Sequence, residues 1–320
     1  SQEGFPILQK YDSKAKITHT FVTCSAPWAY TLAQHVQYEN DIRFKISENI
    51  ITDLVQSAIA DISTKFKDST FATKEGFESV DQITTDIKVN DYEVTDPIGL
   101  SGTLVSLSHT VGLVPREIVS GIHEIHDKLF RNSKLSIHTN ILAMSTVLQK
   151  LFKTVEHSCL IHVSNEATEF GVYAHNLLIE NTHISEGINT FVRDIMQTTK
   201  KPSTDVESLM QSYTEKSHTS TRELEDQIEK QSEKISETLK AIIERSAVPQ
   251  EIFLVVQKPH EQLFTDVVAH ALKKITPHTK AVIVIDHNIC TSFAEGDSGD
   301  TVLSFGAQFF HTLHAYSGAE

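Results

Sequence analysis

Residues 161–173 read IHVSNEATEFGVY, two apolar runs separated by a few small polar residues. A strand–turn–strand of this outline can bring backbone N–H groups around a phosphate. That chemistry asks for glycine where the chain must come close to the anion, and for hard oxygen donors where Mg²⁺ is held. Here the tip is Ser164, Asn165, Glu166 and Ala167, preceded by His162 and followed by Thr168 and Glu169. Such a tip also suits an ordinary polar hairpin turn between buried strands, and the loop taken alone reads that way.

Other constellations are weaker. HEIHD at 123–127 puts His123 and His126 three apart on a helix, whereas a zinc protease needs its two histidines at i and i+4 so that both imidazoles converge. His311 and His314 repeat the shorter spacing. With 17 histidines in the chain such pairs are expected by chance, so they read as solvated helix-face residues and no metal site is assigned. GDSGD at 296–300 matches the Gly-Asp-Ser-Gly of trypsin-like proteases, but helices and an α/β order exclude that fold. It reads as a turn capping the last helix through Asp300. Trp28, after Pro27, reads as core packing. Cys24, Cys159 and Cys290 lie far apart beside apolar residues, as buried free thiols in a reducing compartment do. No catalytic residue emerges.

The elements that must position the loop follow from periodicity. KITHTFVTC (16–24) and LAQHVQYEN are extended, and ISENIITDLVQSAIADISTKF carries apolar residues at helical spacing with Ser47 placed to cap it. FESVDQITTDIKVNDYEV and GTLVSLSHTVGLV read as strands around the turn TDPIGLSG. A helix from Pro115 places Ile118, Ile122, Ile125 and Leu129 on one face, followed by the strand LSIHTN and the helix ILAMSTVLQKLF. CLIHV, EFGVY and HNLLIEN are three strands in hairpin order, and a helix follows Gly187. Ser220 and Glu223 form a capping box for the longest helix, 219–246, with Leu224, Ile228, Ile235, Leu239 and Ile242 as a stripe interrupted by Gln231. EIFLVV and AVIVI are buried strands around the helix EQLFTDVVAHALKKI, and a helix over 301–316 closes the chain. The second sheet is expected to contain 158–163, 169–173, 176–180, 251–256 and 281–285.

Bulk properties fit this α/β order. The 320 residues are 39% hydrophobic and 22% charged, ordinary for a globular protein. A net charge of −14 argues against nucleic acid as a partner. No apolar run reaches the roughly 20 residues that cross a bilayer. Twelve glycines is few against the roughly 22 of average usage, which does not favour a phosphate cradle. The chain opens SQEGF without Met, so an N-terminal piece is expected to have been removed or left out.

Three places together carry a family likeness. NDYEVTDPIGLSG (90–102) with the following TLVSLSHTV is similar to a corner and return strand of the division ATPase FtsA. HVSNEATE (162–169) aligns without gaps on the second phosphate loop of the actin/Hsp70 superfamily, D-x-G-x-x-x-T-D. HISEGINTFVRDI (183–195) resembles the strand-to-helix corner that follows. The chain thus resembles the FtsA/PilM branch of actin-like proteins, and most of all FtsA-like proteins of genome-reduced bacteria, which share an S-x-PW turn.

The resemblance implies an actin-like, ribonuclease H-like α/β fold of two lobes. The first, 1–155, would hold a strand–helix–strand–strand insert over about 40–112, and the second, 156–320, the long helix 219–246. It assigns vestigial phosphate-loop positions to His162 (family aspartate), Ser164 (family glycine), Glu166, Thr168, Glu169 and Gly187. The purine-binding turn after EIFLVV should hold paired glycines but reads Gln257, Lys258, Pro259, His260. The first phosphate loop is not in the chain. ATP and Mg²⁺ are therefore not expected to bind. The expectation is a non-catalytic actin-like scaffold of bacterial cell division or pilus and envelope assembly, cytoplasmic, reaching the membrane's inner face through a protein partner, with self-association open. Two alternatives stand beside it: an active ATPase whose first phosphate loop lies upstream, and an adaptor docking through helix 219–246. FtsA tethers itself by a C-terminal amphipathic helix. The tail FGAQFFHTLHAYSGAE has no Lys or Arg to attract anionic lipid, so no direct membrane anchor is expected.

Overall fold

A computed structural model describes residues 16–67, 76–152, 157–175, 177–214, 222–245, 249–275, 282–286, 289 and 301–317. Strand β1 (His19–Cys24) pairs in parallel with β6 (Lys134–Thr139). Between them runs an antiparallel sheet in the order β2 (Tyr30–Lys45), β5 (Ser101–Pro115), β3 (Phe77–Val89), β4 (Tyr92–Glu93). Helix α1 (Glu48–Lys67) lies on it because its apolar residues recur at helical spacing. Leu54 and Ala58 are buried against Val36, Val105 and Leu107 of the sheet. Its start is capped as the sequence implies, the Ile50 amide donating to the Ser47 hydroxyl at 3.4 Å.

Two local readings need correction. The strand expected over residues 77–94 is broken, because Asn90 and Asp91 both take positive φ (49° and 66°) and fold Tyr92–Glu93 back on Lys88–Val89. A two-residue turn with both residues left-handed matches the twist of a hairpin, and Asn and Asp tolerate that conformation best after glycine. In α2 (Arg116–Leu129) the buried residues are Val119 and His126, while Ile125 and Leu129 are more than half exposed. Ile118 and Ile122 of the expected face pack partly buried beside Val119, and the His126 imidazole engages the Ser133 hydroxyl at 3.0 Å.

A buried aspartate joins the two sheets of this half. Asp81 sits at a register shift in β3. One carboxylate oxygen meets His138 Nδ1 at 2.5 Å and the other accepts the Thr139 amide at 2.6 Å. The His138 ring stacks on Phe21 and meets Phe309 edge-on.

The strands expected in a second sheet do share one. Its order is β11 (Val282–Val284), β10 (Glu251–Val256), β7 (His157–Val163), β8 (Thr168–Ala174), β9 (Leu177–Ile184), parallel from β11 to β7 and antiparallel through β9. Alternation along β7 divides the core. Cys159, Ile161 and Val163 face α4 (Ile188–Thr199), α5 (Ser203–Thr214), α6 (Arg222–Arg245) and α7 (Glu261–Lys273). Leu160 faces α3 (Asn140–Leu151) and α8 (Thr301–Ser317). The stripe of α6 is wholly inside, and Gln231 within it donates to Glu186 at 3.1 Å. Ser220 of the proposed capping box, the GDSGD turn and Cys290 lie outside the described residues. Phe305 and Phe309 of α8 are fully buried, so those aromatics of the tail belong to the core. No helix among the described residues is long and apolar enough to cross a membrane.

Candidate functional site

A cleft of about 270 Å³ opens at the carboxyl ends of β1, β7 and β10, with the start of α8 at one side. This is where open α/β sheets place their ligands. His162, Ser164 and Glu166 line it, and Thr23, Asn140, Trp28, Gln257 and Leu303 complete its floor and lips.

The loop between β7 and β8 is closed on itself. The Ser164 hydroxyl donates to the Ala167 carbonyl (2.9 Å) and accepts the Ala167 amide (3.1 Å), and the Ser164 amide donates to the same carbonyl at 2.9 Å. Its outer carbonyls cap α4: those of Ser164 and Asn165 accept the Ile188 and Asn189 amides at 3.1 and 2.8 Å. Glu166 accepts from Asn189 at 2.7 Å and Arg193 at 3.1 Å, and these hydrogen bonds hold its carboxyl below the usual range.

Gly187 is fixed by the same contacts. A Cβ there would lie 2.6–2.7 Å from the carbonyl oxygens of Ser164 and Asn165 and the Ala167 nitrogen, all backbone atoms. Thr168 turns away from the cleft, its hydroxyl donating to the Glu186 carbonyl at 2.7 Å. Glu169 is buried behind His162. Its Oε2 lies 3.6 Å from His162 Nδ1 and accepts no hydrogen bond. Of the six positions singled out by sequence, three therefore face the cleft, while Thr168, Glu169 and Gly187 brace the loop from behind.

On the purine side, Lys258–His260 form one turn of 3₁₀ helix running into α7. His260 is buried there with Nδ1 unpartnered, and burial lowers its pKa. Two residues were not anticipated. Trp28 is half exposed on the lip, not in the core. Asn140, the first residue of α3, reaches His162 Nδ1 through its amide nitrogen at 3.3 Å. The only sequence signal for Asn140 was its place at a strand-to-helix junction. Among the described residues no group of three or more His, Cys, Asp or Glu side chains converges as a metal site would need. Cys24 and Cys159 are buried free thiols, pushed up to about 11 and about 12 chiefly by burial.

No family model matches the sequence, and no curated protein matches it significantly. Solved structures do resemble it. The structure titled PilM-PilN type IV pilus biogenesis complex superposes with a TM-score of 0.58 at 9% identity, over 98% of this chain and 84% of that one. The ethanolamine utilization protein EutJ from Carboxydothermus hydrogenoformans aligns over 55% of this chain and 57% of its own, at 13% identity and a TM-score of 0.39. The chain has the two-lobed, actin-like α/β fold.

Proposed function

We propose that the protein is a non-catalytic actin-like scaffold that works by binding other proteins, with pilus or envelope assembly as its setting. The observation that carries this is the closed loop: at the family's glycine position stands Ser164, whose hydroxyl and amide are both engaged with Ala167. Those groups would have to be released before a phosphate could be held there. His162 supplies an imidazole where Mg²⁺ asks for a hard oxygen donor, and Pro259–His260 replace the glycine shelf for a purine. The donor set does not suit a magnesium–nucleotide complex, while the frame around it is intact. Function lives in sites grafted on folds, so a frame can outlast its chemistry.

The setting rests on the PilM neighbour, which is titled as a complex in type IV pilus biogenesis. From it we carry to this chain only the expectation of a protein partner in such an assembly, and the cytoplasmic face of an envelope rests on the FtsA/PilM resemblance alone. A link to cell division rests on the FtsA resemblance alone. The adaptor alternative loses its support, since the apolar stripe of α6 is buried in the domain.

Calorimetry with ATP and Mg²⁺ is the test, with no binding expected in the micromolar range. A dissociation constant below about 100 µM that Thr168→Ala weakens would show a working nucleotide site and overturn this reading.

A further inference from the structure

Strand β2 lies at the edge of its sheet and is interrupted there by an exposed loop. Glu39 pairs with Leu104 of β5 and Phe44 with Gly102, so Asn40, Asp41, Ile42 and Arg43 stand opposite the single residue Thr103. Surplus residues in one strand of a pair are left out of the ladder and bend it. The rings of Tyr38 and Phe44 close the neck of the loop, meeting edge-on with centroids 5.0 Å apart. Asn40 Oδ1 accepts the Ile42 amide at 2.9 Å, and the Arg43 guanidinium donates to the Ser101 carbonyl at 3.1 and 3.3 Å. A loop braced in this way loses little entropy when it meets another surface.

The loop presents an apolar tip between two charged limbs. Ile42 is 77% exposed. Glu39 and Asp41 precede it, Arg43 and Lys45 follow it, and all four are exposed. Among the described residues none of the four makes an ion pair within the chain. Ile98 and Leu100, also exposed, lie beside the outgoing limb, where the Ile46 amide donates to the Leu100 carbonyl at 2.8 Å. A single exposed isoleucine needs no explanation. One held on a braced loop, with unpaired acids on one side and unpaired bases on the other, has a charge order that is its own complement. Turned by 180° about Ile42, the acidic limb meets the basic one.

We infer that this loop joins two copies of the chain about a two-fold axis at Ile42. Ile42 of each copy packs on Ile42 of the other, Asp41 meets Arg43, and Glu39 meets Lys45, each pair occurring twice as an isologous contact requires. Arg43 has donors to spare for this, since a guanidinium carries five N–H groups. An apolar centre inside a charged rim is the ordinary anatomy of a protein interface. A contact this small gives a weak dimer that depends on concentration. The inference stands apart from the fate of the nucleotide site, and it supplies the scaffold with a second copy as a partner.

Sedimentation of the full chain between about 10 µM and about 1 mM reads the association directly. Each copy carries a charge of −14, so about 0.15 M salt is used to confine long-range repulsion to roughly 8 Å. A reversible dimer is expected. Glu39→Lys sets base against base and Lys45→Glu sets acid against acid, and neither touches a contact that braces the loop. Each variant alone should associate at least about tenfold more weakly, and an equimolar mixture of the two should recover the association as a heterodimer. Ile42→Asp, which puts two carboxylates on the axis, should abolish it. All three positions are exposed, and far-UV dichroism confirms that each variant is folded. A chain that stays monomeric throughout the range would overturn the inference. So would a dimer indifferent to Ile42→Asp, or a mixture that associates no better than either charge variant alone. Because no arm of this experiment contains nucleotide, its failure leaves the reading of the cleft untouched.

Discussion

Gly187 carries the geometry of the loop on one missing methyl group. The atoms a Cβ would meet at 2.6–2.7 Å belong to the backbone of Ser164, Asn165 and Ala167, which cannot swing aside as a side chain can. Gly187→Ala must therefore either push the loop off the head of α4 or strain both elements. Overpacking of this kind costs about 1–3 kcal/mol, and a comparable loss of unfolding free energy in a urea titration is expected. A neutral outcome would mean that the loop is not held as described. This residue was legible in the sequence as the glycine of a strand-to-helix corner, and so was the strand–turn–strand around Ser164–Ala167, because two apolar runs flank a short polar tip. What their side chains do was not legible. That Ser164 bonds its own turn, and that Thr168 faces Glu186 and not the cleft, depends on rotamers set by neighbours far away in sequence. Trp28 was misread for a similar reason. A Pro–Trp turn fixes where the chain bends, but not whether another element will arrive to cover the ring.

At the scale of elements, α6 is the clearest case of pattern becoming packing. Leu224, Ile228, Ile235, Leu239 and Ile242 are all at most 5% exposed, and the opposite face carries acidic residues and lysines. Lys230 pairs with Asp194 and Lys274 with Glu229. Leu224→Ser and Leu239→Ser should each lower stability by about 3 kcal/mol, the scale of emptying a buried leucine site. Glu229→Gln and Glu233→Gln should leave the melting temperature unchanged, since exposed ion pairs contribute little. Equal thermal shifts for the two pairs would contradict the assignment. Strands and helices with a strong period were readable throughout, and the five strands of the second sheet were placed correctly. The failures came where period gives no signal. The hairpin at Asn90–Asp91 interrupts an otherwise continuous β pattern. In α2 the isoleucines all share one face, and only the contact with β1, β3, β5 and β6 turned the helix so that Val119 went inside.

At the scale of the whole molecule, the buried histidines tie stability to pH. His109, on β5 of the antiparallel sheet, and His260, at the head of α7, have pKa values lowered by burial, the latter against an opposing pull from Glu207. His183 on β9 is lowered in the same way, with Glu169 pulling back. A histidine depressed in the folded state binds its proton first in the unfolded chain. As pH falls below the ordinary value near 6.5, the unfolded state gains protons that the folded state refuses, and stability drops. The loss begins below about pH 6.5 and continues until the folded histidines titrate. Carboxyls held down by hydrogen bonds, such as Glu166, act with the same sign but only below the carboxylate range. Glu261 opposes, because burial raises its pKa and favours the folded state on acidification. Shedding part of the −14 charge also relieves self-repulsion, a term that salt screens. In about 0.15 M salt, where screening acts within roughly 8 Å, the melting temperature should therefore fall from pH 7 to pH 5.5. The double variant His109→Gln, His260→Gln should flatten that slope, and Glu261→Gln should steepen it. A melting temperature that rises on acidification, or a slope indifferent to the histidine pair, would mean that these side chains are hydrated in the native protein and do not hold the two halves to a neutral-pH optimum.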